Sequence, residues 1–205
     1  MPNLDLAGVF TAKYESGGWG SPTSGPGSTL EATREIREFL PYLLDYLSIN
    51  SILDCPCGDL SWFSLIPIPI NIKYTGADIV PGLIAANQAA YSDITRDFVV
   101  ADITCDALPK VDLVFCRDLS IHLPNTYITQ ALANIKASGS KYLLTTSFMA
   151  QPCNDDIEPG AFHPVNLLVE PFNLPYPMLT FQEPASRDAW PDKCLALFAI
   201  NRIPV

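Results

Sequence analysis

The sequence predicts one α/β domain: a mostly parallel central sheet with helices on both faces and an antiparallel last strand. Three observations carry that expectation. Short, almost continuously apolar runs alternate with helix-period segments between residues 51 and 148, the pattern of strands buried on both faces by crossover helices. The alternation then gives way to a proline-rich stretch and two more strand-like runs, which suits a hairpin closing one sheet edge. Finally, 205 residues with 48% hydrophobic and 17% charged side chains are enough for one buried core and too apolar for general disorder.

The elements follow in order. The first 27 residues hold six of the eleven glycines, most of them in KYESGGWGSPTSGPGS, where no regular element is expected. Tyr14 and Trp19 also lie there, and exposed aromatics on a free tail are unfavourable. Residues 1–27 therefore read as a lid folded back over the domain. Ser28-Thr29-Leu30-Glu31 has the form of a capping box, and Ile36, Leu40, Leu43 and Leu47 follow at helical spacing. Pro41 is expected to kink or split that helix. SILD (51–54), KYTGAD (73–78), DFVVAD (97–102), VDLVFC (111–116) and KYLLTTSF (141–148) read as strands. Helices are expected over VPGLIAANQAAY and PNTYITQALANIKAS, with Pro124 in a first turn and Gly139 just past the end. Residues 28–148 thus form the core. Residues 149–192 make a proline-rich excursion, with MLTFQE (178–183) a strand inside it. CLALFAI, within residues 193–205, supplies the final strand.

Charge narrows the partners. Twelve Lys and Arg against 22 Asp and Glu give a net charge of −10, with no basic cluster. That balance argues against nucleic acid and anionic membranes as partners and leaves a small molecule. No apolar run approaches a bilayer span, and the N-terminus lacks a basic start followed by an apolar stretch. Three of the six cysteines lie in or beside segments that read as buried strands, and the chain is too large to need disulfides, so free thiols are expected and the expected compartment is cytoplasmic. A zinc site built from Cys55, Cys57, Cys116 and His122 is not expected, because C-x-C lacks the usual two-residue spacer and no second pair follows.

Chemistry in a parallel sheet sits beyond the carboxyl ends of the strands, where strand order reverses. The turn after the first strand is Asp54-Cys55-Pro56-Cys57-Gly58-Asp59. One glycine is too few for a pyrophosphate turn, and Asp54 would repel phosphate and suit an ammonium. Asp78 ends the second strand and is placed to accept both hydroxyls of a ribose. Asp102 ends the third and can accept from an exocyclic amine. Asp118 follows the fourth. Four strand-end carboxylates suit a cationic, nucleoside-containing ligand. Their competing reading is the ordinary turn-capping role of Asp after a strand.

These residues also resemble a known family. SILDCPCGDLSWF resembles the first motif of class I S-adenosylmethionine-dependent methyltransferases, which have a Rossmann-like fold. YTGADIV resembles their second motif, VVADITCDALP their third, and VDLVFCRDLSIHL their fourth strand and following segment. The first motif departs from the pattern, since Pro56 and Leu60 occupy usual glycine positions. The resemblance implies S-adenosyl-L-methionine as cofactor, with S-adenosyl-L-homocysteine as product. It implies that Asp54 and the Cys55, Pro56, Cys57 and Gly58 backbone face the methionine part. Asp78 would hold the ribose, Ile79 would pack on adenine, and Asp102 and Ile103 would meet the adenine edge. Cys116 and Arg117 would lie near the sulfonium and carboxylate. It also implies a seven-stranded sheet with a reversed last strand.

The resemblance places the segment after the fourth strand on the acceptor side. His122 there is a candidate general base, being neutral and available near pH 7. Asp118 is a second candidate, and His163 is a third that the excursion could bring in. Tyr14 and Trp19 would close the pocket. The function expected is methyl transfer to a small-molecule or sugar-like acceptor at oxygen or nitrogen. The alternatives are a non-catalytic cofactor-binding or regulatory module and an NAD(P)-dependent reductase.

Overall fold

The computed structural model describes residues 5–20, 23–183 and 190–204. Residues 1–4 and 21–22 of the expected lid, 184–189 of the excursion and Val205 lie outside the described residues.

Seven strands form one sheet: β1 (Ser51–Asp54), β2 (Lys73–Asp78), β3 (Arg96–Val100), β4 (Leu113–Cys116), β5 (Tyr142–Phe148), β6 (Leu179–Gln182) and β7 (Lys193–Ala199). Their spatial order is β3-β2-β1-β4-β5-β7-β6. The first five are mutually parallel. β7 runs antiparallel to β5, with Tyr142 opposite Ala199 and Phe148 opposite Lys193, and β6 pairs antiparallel with β7 at the edge. The strand order reverses at β1 and β4, as the right-handed crossovers of such a sheet require.

Both sheet faces are buried, and the period-2 alternation of the strands shows it. Ile52, Leu113, Phe115, Leu144 and Leu197 belong to one apolar cluster. Their neighbours Leu53, Val114, Leu143, Ala196 and Phe198 belong to the other. The first cluster is closed by Ile36, Leu40, Leu43 and Leu44 of α2 (Arg34–Tyr46) and by Leu83 and Ile84 of α3 (Pro81–Tyr91). The second is closed by Ile128, Ala131, Leu132 and Ile135 of α4 (Asn125–Ala137), together with Val165, Leu167 and Phe172 from the excursion. Gly139 follows α4 with φ +68°, the left-handed position where glycine ends helices at least cost.

Three local expectations are corrected. The N-terminal segment contains a helix, α1 (Leu6–Glu15), in which Asp5 accepts from the Gly8 amide at 2.8 Å. Gly8 lies in its first turn and the segment's other glycines come after it, beginning with Gly17, at φ +66°, next to the C-cap Ser16. The capping box at Ser28 does not form. Thr29 Oγ1 caps a turn by accepting from the Ala32 amide, the Ser28 hydroxyl donates to the Ser24 carbonyl, and α2 starts only at Arg34. Pro41 does not split α2, which continues through it to Tyr46. Burial of Leu40, Leu43 and Leu44 around the proline offsets the one backbone hydrogen bond it removes.

Candidate functional site

A cavity of about 510 Å³ opens above the carboxyl ends of β1 to β5, in the size range of small-molecule sites. The part over β1, β2 and β3 is a row of carboxylates. Asp54 ends β1 on the same sheet face as Ile52, and Tyr74 on β2 donates its hydroxyl to Asp54 Oδ2 at 2.7 Å. Only 3% of Asp54 is exposed. Burial pushes its carboxyl up to about 8, against the Tyr74 hydrogen bond and the Arg117 charge. Asp78 ends β2; its Oδ1 accepts from the Val80 amide at 3.1 Å and its Oδ2 from the Gly58 amide at 3.2 Å. Burial pushes this carboxyl up to about 6, with those amides pulling the other way. Asp102 lies two residues past β3, and its Oδ1 accepts from the amide and hydroxyl of Thr104 at 2.8 and 2.6 Å.

The turn after β1 is pinned from three sides. The Cys55 amide donates to the Phe115 carbonyl and the Cys57 amide to the Ala77 carbonyl, each at 2.9 Å. Asn87 of α3 donates to the Gly58 carbonyl at 2.7 Å. Gly58 has φ +58°, and a Cβ there would sit 2.7 Å from Ser24 Oγ. Ser24 Oγ in turn accepts from the Asp59 amide at 3.0 Å, and Thr23 donates to Asp59 Oδ2 at 2.7 Å. The N-terminal segment is thereby strapped across this turn. Burial raises the Cys55 and Cys57 thiols well above their ordinary value, so both stay protonated.

The part over β4, β5 and β7 is aromatic, with a buried ionic cluster at its floor. Trp19 packs on His122 at 4.3 Å between ring centroids, and Lys13 Nζ sits 4.5 Å over the Trp19 ring. Phe162 approaches His122 at 6.3 Å and Trp190 at 5.3 Å, and Phe148 meets Trp190 edge-on at 5.5 Å. In the floor, Arg117 binds Glu183 at 2.6 Å, Asp118 at 3.2 Å and the Gly27 carbonyl at 3.1 Å. Lys193 binds Asp118 at 2.9 Å. Burial would raise Asp118, but the Arg117 and Lys193 charges hold it well below the usual carboxylate range. An Asp so stabilised as an anion is a poor proton acceptor.

His122 is placed differently. Its Nδ1 lies 2.7 Å from the Ala161 carbonyl. A carbonyl only accepts, so Nδ1 carries the proton and the neutral ring keeps its lone pair on Nε2. Burial lowers the imidazole pKa, with Lys13 and Lys193 adding to it against the Ala161 hydrogen bond and the Asp118 charge.

Of the residues singled out from the sequence, the cavity is lined by Asp54, Cys55, Pro56, Cys57 and Gly58, by Asp78 and Ile79, and by Asp102 and Ile103. Tyr14, Trp19, Arg117, Asp118 and His122 line it as well. Cys116 does not. It is buried in the cluster under α4 with Val114, two residues before it on the same face of β4. His163 does not line the cavity either. Its Nδ1 lies 2.7 Å from the Asp155 carbonyl and its Nε2 3.0 Å from the Leu123 carbonyl, fastening the excursion to the segment after β4. Sequence reasoning missed Tyr74, Ser24, Asn87, Phe162, Trp190 and the Glu183–Lys193 pair. Tyr74 alone left a signal: parallel pairing of SILD with KYTG puts it opposite Ile52, two residues from Asp54 and on its face.

The sheet order and the reversed β7 define the Rossmann-like class I methyltransferase fold, and solved structures share it. The N-methyltransferase NodS from Bradyrhizobium japonicum WM9 aligns with a TM-score of 0.61 at 16% identity, over 82% of this chain and 96% of that one. Magnesium protoporphyrin IX methyltransferase from Synechocystis PCC 6803, solved with S-adenosylmethionine bound, gives 0.61 at 16% identity over 96% and 98%. Human N-acetylserotonin methyltransferase gives 0.52 at 13% identity over 95% and 66%. The chain spans just under two thirds of some others, such as 66% of the methyltransferase domain of bacterial CtHen1 at a TM-score of 0.50. No protein-family model matches the sequence, and no curated protein matches it.

Proposed function

We propose that the chain is an S-adenosylmethionine-dependent methyltransferase acting on a small-molecule acceptor at oxygen or nitrogen. The observation that carries this reading is the row of three carboxylates, Asp54, Asp78 and Asp102, along one wall of the cavity on a sheet of this topology. Two of the proteins sharing the fold are named for small acceptors, N-acetylserotonin and magnesium protoporphyrin IX, which supports the same acceptor class here.

The residues fit the cofactor. Asp54 is buried, and among the described residues it has one hydroxyl donor and no cation in direct contact, so an ammonium beside it would supply a counter-charge. The amides of Gly58 and Val80 orient the Asp78 carboxylate toward the cavity for a ribose diol. Asp102 and Ile103, which line the cavity with Ile79, would meet the adenine edge, and Ile79 would pack on the ring. When bound, the cofactor supplies an electrophilic methyl group on a sulfonium. The chain binds and orients the reactants, excludes water beneath Trp19, and takes the acceptor's proton at His122 Nε2 where the acceptor is a hydroxyl. Asp118 acts through its ion pairs, fixing the loop that carries His122.

An NAD(P)-dependent reductase would need a pyrophosphate at the first turn. There the single glycine is covered by Ser24 and flanked by two buried carboxylates, an unfavourable setting for phosphates. Titration calorimetry with S-adenosylhomocysteine and with NADPH tests the choice. Binding of the first alone is expected, and binding of NADPH alone would overturn the proposal. Binding of cofactor without turnover on a broad acceptor panel would select the non-catalytic module.

A further inference from the structure

The cavity wall changes character at the middle of the sheet, and the change specifies what sits beside the cofactor. Over β4, β5 and β7 the wall is Trp19, Phe148, Phe162 and Trp190 around the edge of His122. Phe162 is 46% exposed, a large apolar ring left partly open where it lines the cavity. Such rings favour a flat aromatic ligand through stacked and edge-on contacts. A cationic ligand is disfavoured at Trp19, where Lys13 already occupies a ring face, and the floor offers no free carboxylate, since Asp118 and Glu183 are paired with Arg117 and Lys193. Burial does most to keep the His122 ring neutral, with Lys13 and Lys193 adding to it against the Asp118 charge, so the imidazole edge in this wall is an acceptor for a hydroxyl proton.

Resting on the methyltransferase reading, we propose that the acceptor is an uncharged planar aromatic alcohol, bound among Trp19, Phe162 and Trp190 with its hydroxyl at His122. An oxygen lone pair forms the bond to the methyl carbon. The carbon–sulfur bond breaks with its electron pair left on sulfur, and the hydroxyl proton passes to His122 Nε2. The products are the aryl methyl ether and S-adenosylhomocysteine, and the imidazolium later returns its proton to solvent.

The test uses the full chain with S-adenosylhomocysteine bound, probed by fluorescence or calorimetry with 2-naphthol, 2-naphthylamine and decahydro-2-naphthol. The flat alcohol should bind at least tenfold more tightly than its saturated counterpart, and S-adenosylmethionine should convert it to 2-methoxynaphthalene, read by mass spectrometry. Phe162→Ala and Trp190→Ala should each weaken 2-naphthol by about three- to tenfold, the size of one aromatic contact, with S-adenosylhomocysteine affinity held. Equal binding of the flat and saturated alcohols, or methylation of the amine in preference to the alcohol, would overturn the acceptor assignment and leave the cofactor reading standing. Failure of S-adenosylhomocysteine to bind at all would overturn both.

Discussion

Over β1, β2 and β3 the cavity wall consists of carboxylates presented by strand ends, each held by backbone amides or a neighbouring hydroxyl. Over β4, β5 and β7 it consists of aromatic rings and one imidazole, carried by a 3₁₀ turn, an N-terminal segment and a proline-rich excursion. The first wall is rigid because its side chains follow directly from sheet register. The second depends on three chain segments being brought together, with the strap of Thr23 and Ser24 on Asp59 and the Arg117–Gly27 contact as the links. The contrast suggests a division of labour, with cofactor recognition in the sheet and acceptor recognition in the segments that cover it.

The division is broken most directly at His122. His122→Ala is expected to lower turnover by about a hundredfold while S-adenosylhomocysteine affinity stays within a few-fold. Rate and calorimetric affinity measured side by side check this. Because the imidazole pKa is lowered from its ordinary value, the wild-type rate should persist below pH 6.5 and fall only at lower pH, as the ring takes up a proton. Full turnover in the variant would place catalysis in positioning alone.

The mirror-image change lies across the cavity. Asp78→Ala removes charge-assisted hydrogen bonds worth about 1.5–3 kcal/mol each, so cofactor affinity should fall at least tenfold. Phe162→Ala should not share that loss. A variant pair in which both changes weaken cofactor equally would dissolve the distinction between the two walls.

Asp54 offers a pH-dependent version of the same comparison. With its carboxyl pushed up to about 8, it is largely protonated at pH 7 in the free protein, and an ammonium beside it should expel that proton. Calorimetry in buffers of different ionisation enthalpy should register proton release at pH 7, and affinity should rise between pH 6 and 7.5. The stability sign is opposite. A carboxyl whose folded value lies above its unfolded value of 3.8 contributes stability that is fully present below 3.8 and lost as pH rises through about 8. Asp54→Asn should therefore melt higher than wild type at pH 8.5, by several degrees, and bind cofactor more weakly. Function at this position opposes stability.

The two walls also differ in how far the sequence disclosed them. β1 and β2 end where the apolar runs end, at Asp54 and Asp78, because strand period and strand-end acids are local patterns. Cys116 is placed at the cofactor by the resemblance alone, whereas alternation along β4 sends it under α4 with Val114. Trp19, His122, Phe162 and Trp190 are separated by dozens of residues in segments without a period, so nothing local predicts that they meet. Helix α1 was hidden by its glycine-rich neighbours, although Asp5 at its start and Gly17 at its end mark it in hindsight.

The smallest expected effect lies at the joint between the walls. Gly58 belongs to the carboxylate wall, yet the atom nearest its missing side chain is Ser24 Oγ of the covering segment, 2.7 Å from where a Cβ would stand. Gly58→Ala has two costs: about 1 kcal/mol for a left-handed alanine, and displacement of Ser24 from the Asp59 amide. The first acts on the fold and the second on the strap. Ser24→Ala alone removes the hydroxyl that accepts from Asp59 and should cost about 1 kcal/mol, slightly loosening acceptor binding with cofactor affinity held. Because both changes release the same strap, the double variant should cost less than the sum of the singles, a coupling that thermal melts and 2-naphthol affinities in a double-mutant cycle measure. Additive costs would mean that the covering segment and the first-strand turn are independent.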